Sequence, residues 1–264
     1  MPLSMQALAD DLAAETADLR DLLLTLPDAD WRRPTPALRW CIGDQVSHLA
    51  FFDDAAVRAA SDPDGFLAEL ARLNAEGGVN PDTICARFRD MPGEALLAWF
   101  DEARARLLSS FGQIDPAARV PWFGPAMSAA SSLTARLMET WAHGQDIADA
   151  LGINRAPTDR LRHVAHLGVH ARAFSYTANG RQAPDLPVRV ELTAPSGAIW
   201  GWGPEDAADR ASGPALDFCL VVTQRRHRDD TALAISGRAA GQWMAIAQAF
   251  AGEPGAGRKK GQFG

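Results

Sequence analysis

A chain of 264 residues, 47% hydrophobic and 22% charged, is long enough for one large domain or two smaller ones with a substantial core. Its net charge of −7 and pI of about 5.4 repel polyphosphate, so nucleic acid is not an expected partner, and no apolar run approaches the roughly 20 residues of a membrane span. The N-terminus lacks a basic stretch leading into an apolar one, so no signal peptide is expected, and the scattered Cys41, Cys85 and Cys219 fit neither a disulfide framework nor a zinc ribbon, which makes a reducing cytoplasm the expected setting.

Ser4 is placed to cap a first helix, in which Leu8, Leu12, Leu19, Leu22, Leu23 and Leu26 recur at helical spacing until Pro27 ends the pattern. The connector from Pro27 to Trp40 holds Pro34 and Pro36, with Trp31 and Trp40 available to pack over one end of a bundle. A second helix is predicted over about 42–60, where Asp53 interrupts an otherwise apolar stripe and His48 lies at its margin. Short helical pieces follow over 63–74 and 81–89, separated by Gly77-Gly78, and a third long helix over 93–111. The loop 112–127 carries Pro121-Trp122-Phe123-Gly124-Pro125, whose aromatics either line a pocket or plug a core. A fourth long helix spans about 128–151, with Gly152 placed to end it.

Glu139 and His143 on that fourth helix sit one turn apart and point the same way, so both can reach one divalent metal ion. Such pairs are also common on solvated helix faces, and the reading needs a third ligand. His48 is the best-placed one in the N-terminal half; its alternative is a satisfied structural histidine. Facing helices of a bundle build metal sites in this way. Arg136, Glu139, His143 and Asp146 fall close together. Asp146 is suited to orient a metal-bound histidine. Arg136 either neutralises Glu139, meets an anionic substrate, or forms a surface ion pair. A rival metal set is His163, His166 and His170 on a predicted fifth helix, Thr158 to Ala178. Its three rings spread over about 10 Å, so one ion does not easily reach all three; two of them could bind one with a partner from elsewhere, and the alternative is a polar helix edge packed on another domain.

After Asn179-Gly180 the texture changes. Pro184 and Pro187 mark a linker. Strands are predicted over 188–194 and 198–202, joined by Pro195-Ser196-Gly197 as a hairpin, with a third short one over 233–236. Helices are predicted from Gly213-Pro214 to near Arg225-Arg226 and from Arg238 to Phe250. The expected organisation is mainly α: a four-helix bundle over 1–180 and a smaller α+β domain over 181–264, ending in a flexible Gly-rich tail that carries Arg258-Lys259-Lys260.

Trp40-Cys41-Ile42-Gly43-Asp44-Gln45-Val46-Ser47-His48-Leu49 resembles the first ligand helix of the DinB-like four-helix bundles, and Glu139, His143 and Asp146 resemble the second half of their site. Gly213-Pro214-Ala215-Leu216-Asp217-Phe218 and the closing stretch Trp243 to Gly252 resemble the C-terminal domain of mycothiol-dependent maleylpyruvate isomerases. Nearly the whole chain is covered. The resemblance implies a divalent metal, most often zinc, held by His48, Glu139 and His143. It also implies a low-molecular-weight thiol, mycothiol, as co-substrate. In such relatives the thiol either adds to a conjugated double bond, allows rotation and is eliminated, or attacks an electrophile and stays attached. It further implies a carboxylate-gripping arginine in the small domain. Arg225 falls near that place, beside Arg226, although Gln224-Arg225-Arg226 stands where the relatives tend to have Gly-Arg. Arg136 and Trp122 are candidates for binding the thiol or substrate, with Phe123, Trp200 and Trp202 as further pocket walls.

The leading expectation is therefore a metal-dependent thiol transferase or isomerase acting on a small electrophile. Two alternatives stand beside it. One is a non-enzymatic module that binds metal or a small ligand. The other is a metal-dependent hydrolase, whose turnover needs no thiol. The residues do not fix the oligomeric state.

Overall fold

The computed structural model describes residues 4–255 and 257–263. Contacts divide the chain into two compact units, Met1–Arg155 and Ala156–Gly264. That division falls ahead of the boundary expected at residue 180. The segment between the two positions packs with the second unit, where Gly168 lies directly against Val222.

In the first unit, α1 (Met5–Leu24) starts at Ser4, whose hydroxyl accepts the Ala7 N–H at 3.1 Å. A 3₁₀ turn, Asp28–Arg32, buries Trp31 in the connector. Helix α2 (Ile42–Ser61) begins with a capping box between Cys41 and Asp44, and Arg89 holds the Asp44 carboxylate at 2.9 Å. Two shorter helices follow, α3 (Pro63–Ala75) and α4 (Pro81–Ala86), each with proline in its first turn. Helix α5 (Gly93–Phe111) comes next, then a two-stranded ribbon of β1 (Arg119–Val120) and β2 (Met127–Ser128). Helix α6 (Ala129–Leu151) closes at Gly152, whose φ of 68° suits glycine, with Ile153 N–H bonded back to the Ala148 carbonyl.

The long helices α1, α2, α5 and α6 form the bundle: α2 packs on α5 and α6, and α1 packs on α6 and α5. Leu8, Leu12, Leu19, Val46, Leu49, Phe100, Leu107, Leu133 and Leu137 fill its centre with almost no exposure. Each such side chain contributes about 1.5–3 kcal/mol on burial, which outweighs the weak propensities of the individual helices. Buried polar groups sit among them, and one links all four helices. Arg104 of α5 donates to Asp53 of α2 at 2.7 Å, to Thr140 of α6 at 2.9 Å, and to Thr16 of α1. All four long helices thus meet at one guanidinium, and Asp53 interrupts its apolar stripe because Arg104 lies opposite.

In the second unit, α7 (Leu161–His170) and α8 (Arg172–Ala178) replace the single helix expected over 158–178 and are separated at Ala171. The sheet has the order β4-β3-β5-β6: β3 (Val188–Thr193), β4 (Ile199–Trp202), β5 (Asp209–Pro214) and β6 (Ala234–Ser236). Strands β3 and β4 form the expected hairpin, in register Thr193 with Ile199, and Gly197 takes a φ of 85° in its turn. Strand β5 runs parallel to β3 and antiparallel to β6. It includes Gly213-Pro214, so helix α9 (Ala215–Val222) opens after them, not at them. Helix α10 (Arg238–Met244) stops short of Phe250. In the tail, Lys260 reaches Asp229 at 3.3 Å and Gly261 N–H bonds the Asp230 carboxylate, so these residues lie on the 3₁₀ turn Arg228–Asp230. Among the described residues no helix is long and apolar enough to cross a membrane.

Candidate metal centre

Helix α2 supplies His48, and α6 supplies Glu139 and, one turn on, His143. Both imidazole Nε2 atoms face one carboxylate oxygen: Glu139 Oε2 lies 3.4 Å from His48 and 2.9 Å from His143. Donor atoms of all three residues fall within 4.8 Å of one another, and this is the one group of three or more His, Cys, Asp or Glu so placed among the described residues. His163, His166 and His170 make no second such group. They lie on α7, with His166 and His170 exposed and their rings 4.2 Å apart.

Two nitrogens and a carboxylate oxygen suit a borderline divalent cation such as zinc, and three protein ligands leave a coordination position for another molecule. Electrostatics favour the deprotonated forms such an ion needs. Burial, then the neighbouring His143, pushes the His48 pKa down to about 4, so its ring is neutral near pH 7. Burial pushes the Glu139 carboxyl up, but its contacts with His143 and His48 and the charge of Arg136 outweigh this and hold it well below the ordinary carboxylate range. His48 Nδ1 is buried with no hydrogen-bond partner among the described residues.

Around these three side chains the walls are aromatic. Trp40 stacks on the His143 ring at 5.8 Å and 13°, and tilts on His48 at 5.2 Å. Phe52 lies 4.6 Å from His48. Asp146 is fully buried, but the Nδ1 partner of His143 is Gln45 Oε1, not Asp146. Polar residues between apolar stripe positions usually read as solvated; the signal that was available for Gln45 is its place three residues before His48, on the same face of α2.

Arg136 is buried, one turn before Glu139, with Nη atoms 3.9 Å from both Glu139 Oε2 and Asp53 Oδ1. Its Nη1 has no hydrogen-bond partner among the described residues. Trp122 and Phe52 place their rings about 6 Å from this guanidinium. Trp122 also stacks on Phe66, and Phe123 packs edge-on against Phe66 and Phe52, so the 121–125 loop is anchored by aromatic contacts beside Arg136. Trp200 and Trp202 belong to the second unit, where Trp200 is buried under Arg162.

Arg225 also lies in the second unit, just past α9, and donates to the Thr223 carbonyl at 2.6 Å. Arg226, rather than Arg225, borders a cavity of about 340 Å³ whose lining includes Gln224, Arg228 and Arg258. Gln224 has a φ of 61°, a left-handed conformation, and Arg225 N–H returns to the Leu220 carbonyl at 2.7 Å. A glutamine therefore adopts a backbone conformation that glycine would take without cost.

Residues 12–148, just over half of the chain, match the family described as the mycothiol maleylpyruvate isomerase N-terminal domain, and the chain belongs to that family. Residues 184–234 match a second family, described as wyosine base formation. Two Mycobacterium tuberculosis proteins, Uncharacterized protein Rv0036c of strain H37Rv and Uncharacterized protein MT0041 of strain CDC 1551, are each 46% identical over 250 residues, covering 94% of this chain and 96% of the relative. Among solved structures, the mycothiol-dependent maleylpyruvate isomerase superposes with a TM-score of 0.59, and a mutant of it with 0.58. At 15% identity, over 96% of this chain and 97% of the other, this likeness establishes the shared fold.

Proposed function

We propose that the protein is a metal-dependent enzyme that uses a low-molecular-weight thiol, mycothiol by the family's description, either to isomerise a small electrophile by reversible addition of the thiol or to transfer the thiol sulfur onto it. The observation that carries the reading is the convergence of His48, Glu139 and His143 on a space a few ångströms wide. When bound there, a divalent ion, zinc by its donor set, would stabilise a thiol as thiolate at neutral pH.

The chain's own residues have separate tasks in this reading. His48, Glu139 and His143 hold the ion. Trp40 and Phe52 pack against the His48 ring and would shield a bound ion from water, which would strengthen the charge interactions there. Arg136 offers an Nη donor without an acceptor, one turn from Glu139, to an anionic group of thiol or substrate. Trp122 gives that group an apolar wall. Arg225 grips a carboxylate in the second unit, with Arg226 as the neighbour that borders a cavity. The reaction takes place in the cytoplasm, where the thiol is kept reduced.

Elemental analysis of the wild-type protein and of His143→Ala tests the proposal. About one equivalent of metal is expected in the wild type and little in the variant, because two remaining ligands hold an open site poorly. The loaded wild type then isomerises or conjugates a maleyl-type electrophile only when thiol is present. Metal retained by His143→Ala, a wild type that cannot be loaded, or turnover without thiol would each overturn it.

A further inference from the structure

The two imidazoles are held differently. His48 Nδ1 has no hydrogen-bond partner among the described residues, so no hydrogen bond there selects its tautomer. His143 Nδ1 meets Gln45 Oε1, and Gln45 is fully buried. The direction of that contact follows from its neighbours. The Trp40 carbonyl is an acceptor only, and it takes both the Thr35 N–H at 2.8 Å and the Thr35 hydroxyl at 2.9 Å. The Thr35 hydroxyl has one hydrogen and has spent it on Trp40, so toward Gln45 it accepts. Gln45 accordingly turns its amide nitrogen to Thr35, at 2.8 Å, and its amide oxygen to His143. An amide oxygen cannot donate. His143 Nδ1 must carry the hydrogen, and in the neutral ring Nε2 is left bare, aimed at Glu139 Oε2.

We infer that Thr35 and Gln45 are positioning residues: a one-way hydrogen-bond relay from the Trp40 carbonyl fixes the His143 tautomer whose Nε2 can ligate a metal. The inference rests on the proposed metal reading for its purpose, but not for its geometry. The connector that starts the relay is itself pinned. Pro34 and Cys41 form a bridge, Ile42 N–H bonds the Arg33 carbonyl, and Arg39 turns through a φ of 68° just before Trp40. The same Trp40 stacks its indole on the His143 ring, so one residue sets both the plane of the imidazole and, through its carbonyl, the place of its hydrogen. With Nε2 bare, two lone pairs face each other across 2.9 Å, an arrangement that either a second proton on the ring or a metal cation between them would relieve.

Two readouts test the relay, one of them without metal. Long-range nitrogen–proton spectra of the metal-free wild type should show the hydrogen of the neutral His143 ring on Nδ1. In Gln45→Leu, above the ordinary imidazole range, the hydrogen should move to Nε2 and the Nδ1 signal become that of a bare nitrogen. A bare Nδ1 in the wild type, or Nδ1–H retained in Gln45→Leu, would overturn the inference. Zinc affinity by chelator competition should fall roughly 10–100-fold in Gln45→Leu. It should stay near wild type in Gln45→Glu, which keeps an acceptor for the Nδ1 hydrogen. Unchanged affinity in Gln45→Leu, alongside loss in His143→Ala, would overturn the relay and leave the metal reading standing. If the wild type takes no zinc, the metal reading fails and the spectra alone decide the relay. Should Gln45→Leu not fold, Thr35→Val serves in its place: freeing the amide to turn should split the His143 hydrogen between both nitrogens, and Nδ1–H alone would count against the relay.

Discussion

Replacing Asp53 with alanine should strongly destabilise the first unit. Asp53 is fully buried, and its carboxylate takes the Arg104 Nε–H at 2.7 Å and lies 3.9 Å from Arg136. The side chains of Arg104 and Arg136 are only 3% and 5% exposed. Without Asp53 two guanidiniums remain in the bundle, with hydroxyls and Glu139 as the nearest remaining partners. Breaking a buried pair in this way costs about 3–5 kcal/mol. For a unit of this size each kcal/mol moves Tm by about 2–4 °C, so a fall of roughly 6–20 °C is expected. Thermal unfolding followed by circular dichroism, with urea titration at neutral pH, reads both numbers. Because Arg104 also bonds Thr140, next to Glu139, the folded variant should load zinc more weakly. The double variant Asp53→Leu, Arg104→Met, which removes both charges, should recover most of the lost stability. A single variant within about 1 kcal/mol of wild type would refute the view that this ion pair holds the four helices together.

Metal-free protein should lose stability as pH falls from about 6.5 toward 4, by up to roughly 3 kcal/mol from His48 alone, because its folded pKa is depressed to about 4 and the unfolded chain takes the proton first. Urea midpoints across that range should show the slope, reduced in His48→Asn; a flat profile would contradict it. Thiol labelling of the folded protein near neutral pH should leave Cys85 and Cys219 untouched while Cys41 reacts slowly. Burial pushes Cys85 up to about 12 and Cys219 well above the usual thiol range, whereas Cys41 is only partly buried and is raised less. Equal labelling of all three before denaturation would be the contrary result. Gly93→Ala should cost about 1–3 kcal/mol, since an added Cβ would lie 2.2 Å from the Trp31 indole; an unchanged urea midpoint would show that Trp31 moves freely.

The long helices could be read from leucine spacing, because α1, α2, α5 and α6 each bury one continuous face and that periodicity is local. The convergence of His48, Glu139 and His143 was also legible, since Glu139 and His143 are one turn apart and His48 sits beside an apolar stripe. Strand β5 was not. Asp209 to Pro214 has no β-branched residue, and the strand exists because β3 and β6 flank it and bury Ala211. Asp53 stood out as an anomaly in its stripe, but naming Arg104 as its partner required knowing that α5 packs on α2. Gln45 escaped for the same reason: its partners come from a connector ten residues earlier and a helix 98 residues later.

His48 and Glu139 are 91 residues apart in sequence. An ion shared between them would act as a removable crosslink closing that loop. In the chain-entropy account, a closure of this length restricts the unfolded ensemble by roughly 4–5 kcal/mol. Chelation would then shorten the lifetime of the first unit as well as silence its chemistry, and proteolysis with and without chelator would register metal status directly.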